Sequence, residues 1–539
     1  MKNIHNQRRL QGSILKFIRK NASLFTLCVA LFFVFTWTTF RFISNGINFD
    51  VVGQIGLAGQ WRHGLHEGAT LGPTNYVLKM PLYALVQAIP EVSPRAKLYI
   101  LALICNVATF CALFWVGGKI LDIARIKNRL LWYLGFVWLA VIAGRVFWMD
   151  YANSRNLELA AGLLTAWLLL RALQKPSVDR LAILGAVASL TFFADPLQLY
   201  TTGMGMGIYL AILIISRLWH GRSFAAQLWT CVSLAVAALI SKVLFWLSTI
   251  LLNISYLPTP DKNTSFVPLS QLQGFLHAIA RLFDIDVLTK PIGAVSLRHI
   301  VGMLLISGVL WLLVQHRKTL QSAEALLLVC ITTVTMLVYV ASGHAGQAGT
   351  ERYIAMVAVC IPLLFGFLGD AVPKRRQPLA VTLWFGVVAL AMALQLGAIA
   401  QAWPTRFTKD APIEALASYA KTTDTAYIVS GRQYANPADY LAERPGHILP
   451  LLCTPAGSVV IDDLFYDRAT WRQVGRTGKA LVLAIPSGGI KAEASVCSQD
   501  SLIQQFGQPA RIEPIPDFGT GLIYTDTVQT LQANVLPRE

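Results

Sequence analysis

Apolar residues fall in long, nearly uncharged runs at about 24–43, 97–118, 130–148, 157–173, 181–194, 199–216, 227–252, 299–315, 324–341, 353–372 and 379–401. Most approach the ~20 residues that a helix needs to cross about 30 Å of hydrocarbon, so the pattern predicts about 11 transmembrane helices. The polar connections between them are unequal. Residues 44–96 and 253–298 are far longer than a helix–helix turn requires, and long loops commonly carry function. Both hold stretches of helical spacing. Tyr76 to Ile89 carries Lys79 and Pro81 within it, and Leu269 to Leu288 puts Leu272, Phe275, Leu276, Ile279, Leu282 and Phe283 on one face. These predict helices lying in the interface plane rather than crossing it.

The pattern changes near residue 402. Helical spacing over Ala411 to Lys421 alternates with strand-like runs Ala426 to Ser430, Ser458 to Ile461 and Ala480 to Ile485. That alternation predicts a small α/β domain over 402–539, after a membrane domain over 1–401. No internal repeat or low-complexity segment stands out.

Composition agrees: 55% of residues are hydrophobic, 14% are charged, and the mean hydropathy is +0.54. A soluble domain averages nearer a quarter charged. The net charge is +17, but from Gln401 onward twelve Lys and Arg face fourteen Asp and Glu, so the excess lies in the membrane part. There it collects in the N-terminal segment and in the short connections Lys119 to Arg129, Arg171 to Arg180, Arg217 to Arg222, His316 to Lys318 and Lys374 to Arg376. These are every second loop, which is the positive-inside pattern and not a surface for nucleic acid. The chain is therefore read as an integral membrane protein of a bacterial inner membrane, its N-terminus cytoplasmic. An odd number of spans leaves the C-terminal domain extracytoplasmic, where Cys453 and Cys497 are able to form a disulfide.

Ionisable groups at membrane edges are costly and mark functional sites by default. They cluster on the outer side. Asp50 follows the first run, with Arg62, His63, His66 and Glu67 further along the same loop. Asp150, Arg155 and Glu158 lie between the third and fourth runs, and Asp195 precedes a proline after the fifth. His344, Glu351, Arg352 and Tyr353 enter the tenth.

This layout resembles the GT-C superfamily of glycosyltransferases, in particular the aminoarabinose-transferase and protein O-mannosyltransferase branch, over roughly residues 24–401. The resemblance rests on the acid after the first span (Asp50), on the stretch Asn75 to Tyr83 with Lys79-Met80-Pro81, and on Glu351-Arg352-Tyr353-Ile354. It implies an all-α GT-C bundle that transfers a sugar, with inversion, from a polyprenyl-phosphate donor to an extracytoplasmic glycan, lipid or protein acceptor. Asp50 would be the general base, with Glu67 and Asp150 as the alternatives. Lys79, Arg155 and Arg352 would meet the donor phosphate, where leaving-group charge develops. His63, His66, His344, Tyr353 and Asp195 are further candidates for substrate or metal contact. A lipid-phosphate donor carries its own leaving group, so no nucleotide site or other cofactor is required, and a divalent metal stays open.

The same residues admit structural readings. Asp50 is a favoured helix N-cap. Arg155 and Glu158, three apart, suit an ion pair on one helix face. Lys79 and Arg352 have stems long enough to snorkel to membrane lipid. A secondary transporter is the rival class, but its site belongs at the midplane between matching halves, whereas these charges lie at one rim. A lipid-linked-glycan handling protein without transferase activity is the other.

Overall fold

In a computed structural model, the described residues are 2–44, 47, 49–64, 67–71, 76–143, 156–256, 268–283, 294–343, 345, 353–371 and, within 386–525, all but 387–388, 391, 395, 398, 424–425, 445, 463, 465, 469, 472–479 and 493–494. The chain is mostly helical up to Ala402, and strands dominate beyond Ala426.

The first helix, α1 (Lys2–Ser44), includes the first apolar run. A shorter helix, α2 (Phe49–Arg62), follows at once. A 3₁₀ turn (Tyr76–Lys79) leads into α3 (Met80–Gln87), and then comes α4 (Pro94–Ile123). The bundle continues with α5 (Leu130–Ala143), α6 (Asn156–Gln174) and α7 (Val178–Ala194). Helix α8 (Pro196–Trp219) contains a π-helical turn at Leu199–Gly203. Next are α9 (Ala225–Leu251), α10 (Pro268–Leu282), α11 (Ala294–Gln315), α12 (Ala323–Ala341) and α13 (Ala355–Phe367).

Among the described residues six helices are long and apolar enough to cross a membrane: α1 from Asn21, α4, α6, α8, α9 and α12. Three shorter apolar helices, within α5, α11 and α13, add to them. The final run, 379–401, lies largely outside the described residues. The core is a continuous apolar cluster including Phe33, Phe110, Trp132, Phe136, Leu163, Phe283 and Phe367. Around it, α9 turns Trp229, Leu239 and Trp246 outward, the arrangement that suits hydrocarbon as solvent. The amphipathic face foreseen in α10 divides: Phe275, Ile279, Leu282 and Phe283 pack on the core, and Leu272 and Leu276 stay exposed.

Beyond Ala402 come α14 (Ala411–Thr422), β3 (Ala426–Gly431), α15 (Arg432–Ala442), β4 (Ile448–Cys453), β5 (Val459–Ile461), β6 (Ala480–Pro486), β7 (Ile490–Ala492), β8 (Ser495–Cys497), α16 (Gln499–Phe506), β9 (Arg511–Ile515) and β10 (Gly519–Tyr524). The two earlier strands, β1 (Thr70–Leu71) and β2 (Ser255–Tyr256), pair in parallel and join the two long loops. The main sheet has the order β5-β4-β3-β6-β10-β9, parallel at β4-β3-β6 and antiparallel elsewhere. Its centre is β6, whose run Leu481 to Ile485 is buried throughout, as a strand covered on both faces must be. Helix α14 buries Ile413, Leu416, Ala417 and Ala420, which recur at one-face spacing.

A disulfide joins Cys453 of β4 to Cys497 of β8, which are 44 residues apart. Closing a loop of that length stabilises by about 2–4 kcal/mol. Non-reducing peptide mapping of purified protein is expected to recover the two peptides linked, and Cys453→Ser is expected to lower the unfolding midpoint of this domain. Full alkylation of both thiols in unreduced protein would rule the bond out.

The domain docks on one end of the bundle through buried acids. Asp467 accepts from Trp61 Nε1 (2.9 Å) and from the backbone N–H groups of Glu67 and Gly68, while its own N–H donates to Gln60 Oε1. Asp410 accepts from the Ile47 N–H (2.7 Å) and pairs with Arg95, which also reaches Glu414. Gly68 is required here: it adopts φ +106°, and a Cβ would lie 2.0 Å from the Asn253 carbonyl oxygen. At the far end of α4, 30 residues or about 45 Å away, Asp370 accepts the N–H groups of Lys127 and Asn128. The basic connection 124–129 and the sheet domain thus occupy opposite ends of the bundle.

Candidate functional site

The site is built where α2, the Tyr76–Lys79 turn and the start of α6 meet. Asp50 sits in the first turn of α2, a helix that buries Val52, Ile55, Leu57 and Ala58. The Asp50 side chain lies outside the description. Helix α2 packs on α3, which begins directly after Lys79, with Pro81 in its first turn, where the missing N–H costs nothing. That fixes the 3₁₀ turn ahead of it against α7 and aims Lys79 inward.

Lys79 is buried, with Nζ 2.7 Å from Glu158 Oε1, and the two side chains are 6% and 3% exposed. Glu158 lies in the first turn of α6, where the helix dipole favours a carboxylate. Its other oxygen, Oε2, is buried and has no hydrogen-bond partner among the described residues. From Asn156, in the same first turn of α6, a buried amide chain crosses three helices. Asn156 Nδ2 donates to Asn106 Oδ1, Asn106 Nδ2 donates to Thr38 Oγ1 (2.9 Å), and Thr38 Oγ1 donates to the Val34 carbonyl (2.7 Å). These bonds tie α6 and α4 to α1.

Further along the same end, Asp195 is fully buried and caps α8, accepting from the Leu197 N–H at 3.1 Å. The following turn presents Gln198, which accepts from Thr202 Oγ1 at 2.8 Å. It faces Gly162 of α6, where a Cβ would come within 2.6 Å of Gln198 Oε1, so a larger residue there would push the Gln198 amide aside. A π-turn beside buried polar groups is a common feature of functional sites.

The structure therefore brings together the helix bearing Asp50, the Lys79–Glu158 pair and the Asp195 turn. Glu67 is held by its backbone, its N–H on Asp467 of the docked domain and its carbonyl accepting from Asn253 of the second long loop. His63 is exposed on the turn after α2, and Tyr353 is half-buried against the core. Asp150, Arg155, His66, His344 and Arg352 lie outside the described residues. Among the described residues no three His, Cys, Asp or Glu side chains converge as a metal site.

Sequence reasoning set Glu158 against Arg155 on local spacing and left Lys79 to meet phosphate or lipid; the Lys79–Glu158 contact spans residues 79 apart in sequence and has no local signature. Asn106 did have one, as a lone amide inside the apolar run 97–118.

In the docked domain Asp439 is another buried acid. Burial pushes its carboxyl from 3.8 up to about 7, against the pull of N–H groups from Ile448, Gly446 and His447. The same burial, with Asp439 beside it, raises the Tyr466 hydroxyl well above 10.

No family model matches the chain. No curated protein sequence matches it either. Its fold is similar to that in the crystal structure of ArnT from Cupriavidus metallidurans bound to undecaprenyl phosphate, with a TM-score of 0.52 and 10% identity, over 96% of this chain and 99% of that chain. At that identity the likeness is one of fold.

Proposed function

We propose that the protein is an inverting membrane glycosyltransferase that moves a sugar from a polyprenyl-phosphate donor to a hydroxyl or amine outside the cytoplasmic membrane. The observation that carries this reading is the Lys79–Glu158 pair, a cation and a carboxylate buried at the end of the bundle that bears Asp50. Buried ionised groups beside a membrane edge are expensive, and a reaction that releases a lipid phosphate gives them a use. The fold shared with ArnT, which was solved with undecaprenyl phosphate, points to the same donor class.

In this reading the acceptor oxygen or nitrogen attacks the anomeric carbon of the donor, and its proton passes to the Asp50 carboxylate. The bond between the anomeric carbon and the phosphate oxygen breaks as the new bond forms on the opposite face, giving inversion. The electron pair leaves with the polyprenyl phosphate, and Lys79, Arg155 and Arg352 stabilise the charge that develops there. Glu158 holds Lys79 in place and limits its wandering before the donor arrives. Transport is the weaker reading, because the described ionised pair sits in the first turn of α6 and not at a helix midpoint.

The direct test is incubation of purified protein with polyprenyl-phosphate sugars and an envelope extract, following release of polyprenyl phosphate. No release with any such donor, while the protein stays folded, would sink the proposal.

The orientation proposed is an N-terminus inside, eleven spans, and the C-terminal domain outside. The basic connection at one end of α4 and the sheet domain at the other support it. A reporter active only outside is expected to function when fused after Glu539, and one active only inside when fused after Arg376. The reverse result for either fusion would overturn the orientation.

A further inference from the structure

A second cationic site lies away from the Lys79–Glu158 pair. A partly open cavity of about 160 Å³ separates the C-terminal half of α2 from the α3–α4 corner and from α15 of the docked domain. Three basic side chains line it: Arg62, His63 and Lys97. Elsewhere along this seam Arg95 is neutralised by two acids, Asp410 and Glu414. Arg62 and Lys97 form no ion pair among the described residues, and Lys97 Nζ reaches only the Gln87 carbonyl, at 3.3 Å. The α2 wall is bare backbone at Gly56 and Gly59, where an added Cβ meets nothing within 4 Å. Pro94 and Lys97 belong to the first turn of α4, a 30-residue helix that offers its positive end to the cavity.

Two carboxylates also border the cavity. Asp439 is committed elsewhere, with both oxygens taken by the N–H groups of residues 446–448. Glu443 is exposed at the end of α15, where solvent weakens its opposition to an entering anion without removing it. Gathering unpaired cations around one hollow is unfavourable until an anion enters, and planar guanidinium with ammonium groups suits the oxygens of phosphate. Asn436, buried on the same α15 face one turn before Tyr440, has neither amide atom hydrogen-bonded among the described residues, a further polar demand beside this seam.

We propose that this cleft binds a phosphate group through Arg62, Lys97 and His63, and that its occupancy ties α2 and α4 of the bundle to α15 of the C-terminal domain. The phosphate belongs either to an anionic lipid headgroup or to a free phosphate compound. Both would offer the same tetrahedral anion.

The test uses the full-length protein in phosphatidylcholine nanodiscs at constant ionic strength, with inorganic phosphate replacing chloride, and then in discs containing phosphatidylglycerol. The unfolding midpoint of the natural protein should rise with phosphate, with phosphatidylglycerol, or with both. A response to the lipid alone identifies a headgroup, and a response to phosphate identifies a free compound. Arg62→Gln with Lys97→Gln should weaken the response at least tenfold, since each charge-assisted bond removed is worth about that factor. Glu443→Gln, which removes the opposing carboxylate, should shift the response to lower phosphate, a gain that misfolding does not produce. A double variant that responds as the natural protein does, or a natural protein that responds to neither probe, would overturn the proposal.

Discussion

Asp50→Asn is expected to lower sugar transfer by about 10²–10⁴-fold, the usual loss when a general base is removed, or about 3–5 kcal/mol of transition-state stabilisation. The substitution keeps the size and hydrogen-bonding shape of the side chain and removes only its capacity to take a proton. Asp50 lies in the first turn of α2, whose buried Val52, Ile55 and Leu57 pack in the cluster that holds the helix against α3. Donor binding is therefore expected to change little. Arg352→Ala should behave differently, losing donor binding as well as turnover, because a phosphate contact exists in ground and transition states alike. The two variants are to be compared in one nanodisc preparation, measuring lipid-phosphate binding and transfer side by side. Near-normal transfer by Asp50→Asn would move the base to Glu67 or Asp150. Loss of folding would instead return Asp50 to the role of a helix cap.

The second large effect is expected at the buried ion pair. Glu158→Gln leaves the Lys79 ammonium in a site with 6% exposure, and Lys79→Met leaves the Glu158 carboxylate in one with 3%. Breaking a buried pair on one side costs about 3–5 kcal/mol, because an uncompensated charge remains out of water. Removing both charges, as in Lys79→Met with Glu158→Leu, should recover much of that stability, since the desolvation cost disappears with the pair. Transfer should stay lost in the double variant if Lys79 also meets the donor phosphate. Stability is read as the unfolding midpoint in detergent and function as polyprenyl-phosphate release. A double variant as unstable as the singles would show that the pair is not the determinant. One that regains transfer would show that Lys79 has a structural role alone.

The part of this protein that follows from local physics was legible in the chain itself. A helix in hydrocarbon must satisfy its own backbone, so apolar runs such as 97–118 and 324–341 announce α4 and α12 without reference to any neighbour. Strands are similarly announced by short apolar runs between turns, and Ala426 to Ser430 and Ala480 to Ile485 fall on β3 and β6. Other strands carry less signal: β9 (Arg511–Ile515), at one edge, is mostly exposed and holds Pro514, and β4 (Ile448–Cys453), inside the sheet, is interrupted by Pro450, so neither stood out. Asp50, Lys79 and Asp195 were visible as candidates because a charge beside an apolar run is costly wherever it finally points.

What those charges touch was decided only by the tertiary fold. Lys79 meets Glu158, Arg95 meets Asp410 and Trp61 meets Asp467, across 79, 315 and 406 residues of chain. Contacts at such separations depend on how helices pack and on where the C-terminal domain docks, and neither leaves a periodicity that a window of sequence can hold. The buried acids Asp410, Asp439 and Asp467 read locally as ordinary surface residues of a soluble domain. Their cost out of water becomes acceptable only when backbone N–H groups from residues far away or across a turn converge on each carboxylate. Composition and periodicity thus determine which segments enter the membrane and which carry charge at its edge, while the pairing of those charges is a property of the assembled fold, because Coulomb and hydrogen-bond energies depend on distances that packing alone sets.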